Sequence, residues 1–559
     1  MSTAVVVGRR RPGSGFSFWT LVTILALGIF AFLLLYPVLS LFINSLVSGG
    51  TSDSPWWEPY VNLFTRKLYY ESFLNSLILA ASATVGALVL GTPLAYFVSR
   101  LQIPGKIVVR SAIVLTFVSP PFIGAYAWVV MFGNTGLVRV GLESLGLTVP
   151  PIYGWLGTIL VLTLQGVPYV FLYLSGGLKT VDQSVEDAAI NLGYTRGRAA
   201  FNAVFPLLKP ALSTSALLVF VTAFADIGTP MVIGQNLRVF PRLVYQSFTS
   251  EVNSDFRLAA SLALVMVVVT VGALLFQRWY SRRHSYGQDT VRGLVIVPAR
   301  RGPLAAATLY VYVILALACV PLVVVVISSF LRFSGATITG EWTLENYAAA
   351  PGLLSSLTNT LLTSTLATAL CVVFGTLIGY IVARRSDRIA GVIDVLSMVP
   401  FAVAGVVFGI SFSLGFGGAP FYLAGTITIL ALAYFIRRLP FSVRAASSQL
   451  AQMGRQTEEA SVNLGVPPGR TFLKITLPML VPAVASGTLL TWATVVKEFN
   501  ATIILYGATN RTMSIEIFRA ISAGQFQYAS AIGTILILLA LVPIVLLFAV
   551  TGKDEEILV

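Results

Sequence analysis

Twelve stretches of mostly apolar residues, most of them 20 or more long, recur along the chain, at roughly 18–44, 72–99, 109–132, 154–178, 210–234 and 257–280, then 304–331, 356–383, 390–414, 419–436, 479–504 and 528–550. About 20 such residues in helix cross the hydrocarbon core of a bilayer. Composition points the same way. The chain is 56% hydrophobic and 10% charged, where a soluble domain is about a quarter charged. It cannot cover its surface with water-compatible groups, so lipid must solvate most of it. The same values exclude intrinsic disorder. The first run is far longer than a signal-peptide core and reads as an uncleaved span. Two cysteines, Cys319 and Cys371, lie inside apolar runs and read as small buried apolar residues rather than a disulfide framework. A single histidine, His284, leaves no histidine-based metal site or triad, and no tight metal site is expected.

Charge placement sets the expected topology. With Arg9, Arg10 and Arg11 on the cytoplasmic side and the side alternating after every span, cytoplasmic segments hold 26 of the 36 Lys and Arg, and outer loops hold 9. That is the positive-inside asymmetry. It accounts for the net charge of +14 without a nucleic-acid partner. The expectation is an all-α polytopic membrane protein with both termini cytoplasmic. Its segments are an amino-terminal stretch 1–17, a first six-span unit 18–280, a polar linker 281–303 containing His284, a second unit 304–550 and a tail 551–559.

The two units are repeats. At an offset of 284, Pro37 meets Pro321, Asn62 meets Asn346, Asn75 meets Asn359, Gly91-Thr92 meets Gly375-Thr376, Tyr96 meets Tyr380 and Arg100 meets Arg384. At an offset of 272, Glu186 meets Glu458, Asn191-Leu192-Gly193 meets Asn463-Leu464-Gly465, Gly197-Arg198 meets Gly469-Arg470, Pro206 meets Pro478 and Pro210 meets Pro482. An even number of spans in each unit makes the repeats parallel, around an axis along the membrane normal, with a pathway expected between them. The fold expected is about twelve transmembrane helices in two parallel six-helix repeats.

The most informative polar segments are 186–210 (EDAAINLGYTRGRAAFNAVFPLLKP) and 458–482 (EEASVNLGVPPGRTFLKITLPMLVP). Each opens with acidic and small residues suited to the start of a short helix. Each then has a glycine, Gly193 or Gly465, where a helix can end in a left-handed turn. A basic stretch follows, then proline at the first turn of the next span. Together these predict a short surface helix before the fifth span of each unit.

Both segments resemble the EAA loop of type I ABC importer permeases, E-A-A-x3-G-x9-I-x-L-P. The second reads Glu459-Ala460-Ser461, Gly465, Ile475, Leu477 and Pro478; the first reads Asp187-Ala188-Ala189, Gly193, Ala203, Phe205 and Pro206. The resemblance runs from about Pro37 to the last span, as two permease domains fused in tandem. It implies that Glu186, Asp187, Ala188, Gly193, Glu458, Glu459, Ala460 and Gly465 belong to coupling helices seated on separate ATP-binding subunits, expected as a homodimer. It also implies an extracytoplasmic substrate-binding protein. No phosphate-cradling loop is present, because Gly105-Lys106 and Gly552-Lys553 lack a following Ser or Thr. The chain is therefore expected to bind no cofactor and to be no enzyme itself, with ATP and Mg held by the partner subunits. Its FADIGTP (224–230) and KEFNATIIL (497–505) segments most resemble ferric-iron permeases, with thiamine or phosphonate permeases as the alternative.

A secondary transporter or a membrane receptor or scaffold is disfavoured. Few acids lie within spans, and RLQIPGKIVVR (100–110) lacks the signature of the major facilitator class. Four residues are candidates for the pathway: Asp226, Lys497, Glu498 and Asn500. Asp226 and Glu498 are repeat partners, expected toward the outer part of the bilayer. Either Lys497 and local backbone satisfy them, or they form a two-carboxylate gate for a cation with oxygen ligands. Ser119-Pro120-Pro121 and Pro400 are expected to break their spans, as packing kinks or as a hinge.

Overall fold

A computed structural model describes residues 18–47, 55–250, 256–283, 301–335 and 337–551. The expected segment 1–17, most of the linker with His284, and nearly all of the tail lie outside the described residues. Among the described residues, nine helices are long and apolar enough to cross a membrane, or eleven if two bent pairs each count as one. Helix Ile427–Gln452 stands beside them. Its arginines lower its hydropathy, but it lies along Leu353–Arg384 over most of its length. About twelve crossings result. A two-stranded antiparallel hairpin, Leu331–Ser334 with Thr337–Trp342, is a small exception to the all-helical pattern.

The repeat is visible element by element. Lys67–Arg100 corresponds to Leu353–Arg384, Pro121–Phe132 to Gly405–Phe416, and Trp155–Lys179 to Ile427–Gln452. The small residues at repeat positions let long helices approach closely, as is common in membranes. A Cβ on Gly91 would lie 2.7 Å from Val170 Cβ, and one on Gly375 would lie 2.4 Å from Ser442 Cβ. The repeated asparagines work as braces. Asn75 donates to Arg238 O at 2.9 Å, and Asn359 donates to the carbonyls of Thr509 and Arg511 at 3.0 Å. Each thus ties its long helix to the loop that enters a short outer helix, Phe240–Thr249 or Met513–Ser522.

The breaks expected at Ser119-Pro120-Pro121 and in the span of Pro400 are present, and one other span shifts. The third and ninth spans are each broken in two. Ser119 and Pro120 separate Lys106–Val118 from Pro121–Phe132, and Val403 and Ala404 separate Arg388–Ala402 from Gly405–Phe416, with a bend of 109° in the second case. The breaks fall at repeat positions. Pro400 lies inside the helix before the break, not at it. The expected span 419–436 instead runs Ile427–Gln452. Ending it at the first arginine put Arg437 and Arg438 among the cytoplasmic charges, whereas they sit midway along the helix. Removing two from that side leaves the charge asymmetry standing.

The halves also interlock. The first helix, Phe18–Leu46, lies against the second half: Trp19 stacks on Tyr380 at 3.9 Å, and Tyr36 donates to Gly415 O at 3.0 Å. Arg301–Ser329, the first helix of the second half, lies against the first: Tyr310 donates to Leu90 O at 2.8 Å. Each half lends its first span to its neighbour, which no offset in the sequence reveals.

Candidate functional site

Two places gather the candidate residues. The first is the pair of repeated polar segments. Gln183–Asn191 and Gln456–Asn463 are short helices, each preceding a four-residue turn of helix, a π-helical segment (Ala200–Val204 or Phe472–Thr476) and the next span. The glycine stop is built as the sequence predicts. Gly193 has φ of +91° and Gly465 of +86°, where an L side chain is strained. Their amides donate to Ile190 O and Val462 O, both at 2.9 Å, so the last carbonyls of each helix are capped. A Cβ at either glycine would meet open space, so the constraint there is backbone conformation alone.

One ion pair per half ties these helices to the long spans, buried in the first half and half-buried in the second. Arg100, at the end of Lys67–Arg100, pairs with Glu186, their side chains 2% and 3% exposed, and it also donates to Gln183 at 3.2 Å. Arg384 pairs with Glu458 at 3.0 Å; the guanidinium also donates to the carbonyls of Leu450 and Met453, and Tyr380 donates to Glu458 at 3.2 Å. Both pairs join residues already matched by the repeat. The sequence singled out each residue but not the pairing, which needs the chain to fold back across the end of the long helix. Asp187 and Glu459, the acids at the first position of the resembled motif, are exposed, as are Ala188 and Ala460. Asp187 accepts from Gln183 at 2.9 Å. The next residue outward is apolar and exposed in both halves, Leu192 at 81% and Leu464 at 85%. Phe201 and Leu473, also repeat partners, are exposed as well. Beside the second helix lies a cleft of about 390 Å³ lined by Tyr380, Glu458, Glu459, Val462, Asn463 and Pro468.

The second place is deep in the molecule. Cys371, midway along Leu353–Arg384, donates to Phe435 O at 3.3 Å, which puts Arg437 and Arg438 near mid-membrane. Glu498 pairs with both arginines and accepts from Ala501 N at 3.3 Å. Glu498 is thus at mid-depth rather than toward the outer surface. Asp226 turns its two oxygens onto Gly228 N and Thr229 N, at 3.2 and 3.1 Å. Lys497 takes neither carboxylate as a hydrogen-bonding partner; its ammonium donates to Phe117 O from the other half, and stands 5.1 Å from the Phe117 ring. The elements meet across the halves at Phe122 and Phe499, rings 4.8 Å apart, with Gly228 against both. Asp226 and Glu498 are therefore not a matched pair of free ligands. The sequence reading missed Arg437 and Arg438; the signal was there, two arginines just ahead of Pro440, the repeat partner of the mid-span Pro168. Among the described residues, no three His, Cys, Asp or Glu side chains gather to hold a metal ion.

Comparison with known proteins follows the repeat. The family model of the binding-protein-dependent transport system inner membrane component matches residues 87–286 and again 375–552, together more than half of the chain. A ferric transport system permease protein of Actinobacillus pleuropneumoniae is 29% identical over 546 residues, spanning 94% of this chain and 77% of that protein. An Fe(3+)-transport system permease protein of Haemophilus influenzae is 25% identical, over 96% of this chain and 98% of its own length. A candidate 2-aminoethylphosphonate transport system permease of Salmonella typhi is 29% identical over 47% of this chain and 91% of its own.

Proposed function

The chain belongs to the family of binding-protein-dependent transport system inner membrane components, and from that membership we propose how this multi-pass permease of an ABC importer works. The two short helices Gln183–Asn191 and Gln456–Asn463 are coupling helices that dock on two separate ATP-binding subunits. ATP and Mg are held there, and this chain performs no catalysis. Both termini and both coupling helices face the cytoplasm, and 18–280 and 304–550 act as the two permease domains around one pathway. A binding protein delivers substrate from the other side. Ferric iron is the substrate favoured by the relatives, with a phosphonate as the alternative.

The single observation that carries the coupling reading is the repeated construction. An exposed leucine, a left-handed glycine and an Arg–Glu pair recur in both halves. An exposed leucine at a helix tip, braced from behind by an ion pair, is a rigid knob suited to a socket on a partner. Movement of the partners is then passed through Arg100 and Arg384 to the ends of two long spans. Expected result: Leu192→Asp together with Leu464→Asp leaves the chain in the membrane at normal level but abolishes co-purification with the ATP-binding subunit. Undiminished co-purification of the double variant would sink the docking assignment.

A further inference from the structure

The middle of the interface between the halves holds more positive than negative charge. Arg437 and Arg438 share one carboxylate, Glu498, and Lys497 precedes it in the chain. Asp226 lies nearby, since Gly228 beside it packs against Phe499, yet counting it still leaves three basic side chains to two carboxylates. The fold does not demand these cations. The repeat positions of Arg437, Arg438 and Lys497 are Gln165, Gly166 and Ala225, and the first half builds the same elements with them. There Gln165 donates to Pro121 O at 2.9 Å and Thr229 Oγ1 at 3.3 Å.

Cations at membrane depth are expensive unless partnered, and one carboxylate offsets one unit of charge. Arg437 also faces the start of Gly405–Phe416: a Cβ on Gly405 would come 2.7 and 2.9 Å from its terminal nitrogens. A helix N-terminus is itself positive, so it adds to the surplus. Two polar atoms in the cluster, Arg438 Nε and Asn500 Oδ1, are buried without a hydrogen-bonding partner. One is a charged donor and the other an acceptor.

We propose that this cluster is an oxyanion site in the translocation pathway, so that the cargo carries its own phosphate-like or carboxylate-like group. The proposal rests on the reading that the pathway runs between the halves. Arg438 Nε and the Lys497 ammonium donate to the anion's oxygens in charge-assisted hydrogen bonds. Asn500 Oδ1 accepts the O–H of a protonated oxyanion such as hydrogen phosphate. A bare trivalent cation would be repelled here. A ferric ion whose charge is cancelled by coordinated oxyanions would not.

The test uses the full chain in lipid nanodiscs, with its thermal unfolding followed by tryptophan fluorescence. Inorganic phosphate is titrated against sodium chloride at matched ionic strength. Phosphate is expected to raise the unfolding midpoint saturably, and chloride is not. Arg438→Gln and Lys497→Gln should each weaken the apparent phosphate affinity at least tenfold. Lys497 makes no hydrogen bond to Glu498, so its variant keeps the test valid if Arg438→Gln fails to fold. No saturable response in the wild type, or an unchanged response in Lys497→Gln, overturns the site. Phosphate binding needs no ATP-binding subunit, so its failure with co-purification intact overturns this site and not the importer reading.

Discussion

Glu186→Ala should stop transport and lower stability by about 3–5 kcal/mol, the cost of leaving a buried charge without its partner. Arg100 and Glu186 are nearly inaccessible to solvent, so water cannot replace the lost carboxylate. Glu458→Ala should cost less. Its pair is more exposed, at 8% and 13%, so water offsets more of the loss there. On the proposed function transport should fall in both variants, because each short helix loses its link to a long span. Replacing both partners, Arg100→Met with Glu186→Met, should regain most of the stability, since an apolar pair of similar volume removes the buried charge. Thermal unfolding in nanodiscs and substrate-stimulated ATP hydrolysis with the partner subunits are the measurements. Wild-type stability in Glu186→Ala would mean that the pair does not hold the helix.

That ion pair also marks how far the sequence could be read. Two fixed offsets in the sequence match Arg100 with Arg384 and Glu186 with Glu458. Identical spacing in two copies requires identical local structure, and the glycine stops at Gly193 and Gly465 follow from the need for positive φ. The pairing itself is tertiary, formed where a loop folds back on a helix end 86 residues earlier, and periodicity carries no such information. The mid-membrane cluster was hidden for a different reason. Hydropathy reads an arginine as the end of a span, so Arg437 and Arg438 were assigned to a loop. They lie within the membrane because Glu498, from another span, compensates part of their charge. The exchange of first spans between halves was equally hidden: Trp19 and Tyr380 are both apolar-face residues whose sequences do not say which helix they will meet.

Glu498→Gln and Asp226→Asn should differ sharply, although the two residues are repeat partners. Asp226 accepts two backbone amides of its own loop. Asparagine keeps one oxygen for one of them, so the loss should be about 1.5–3 kcal/mol, the value of one hydrogen bond to a charged group. Glu498 is the carboxylate shared by two adjacent arginines at mid-depth. Glutamine there leaves two like charges with no carboxylate between them, and the loss should be about 3–5 kcal/mol, seen as a fall in the amount of chain recovered from the membrane. The first half supplies the control, since it reaches the same architecture with Gln165 and Gly166 in place of the arginines. Adding Arg437→Gln and Arg438→Gln to Glu498→Gln should therefore restore recovery toward the wild-type level. If the triple variant is as unstable as Glu498→Gln alone, the arginines are not the source of the loss, and Glu498 acts instead through its contact with Ala501 N. Similar losses in Asp226→Asn and Glu498→Gln would return the two carboxylates to a common role.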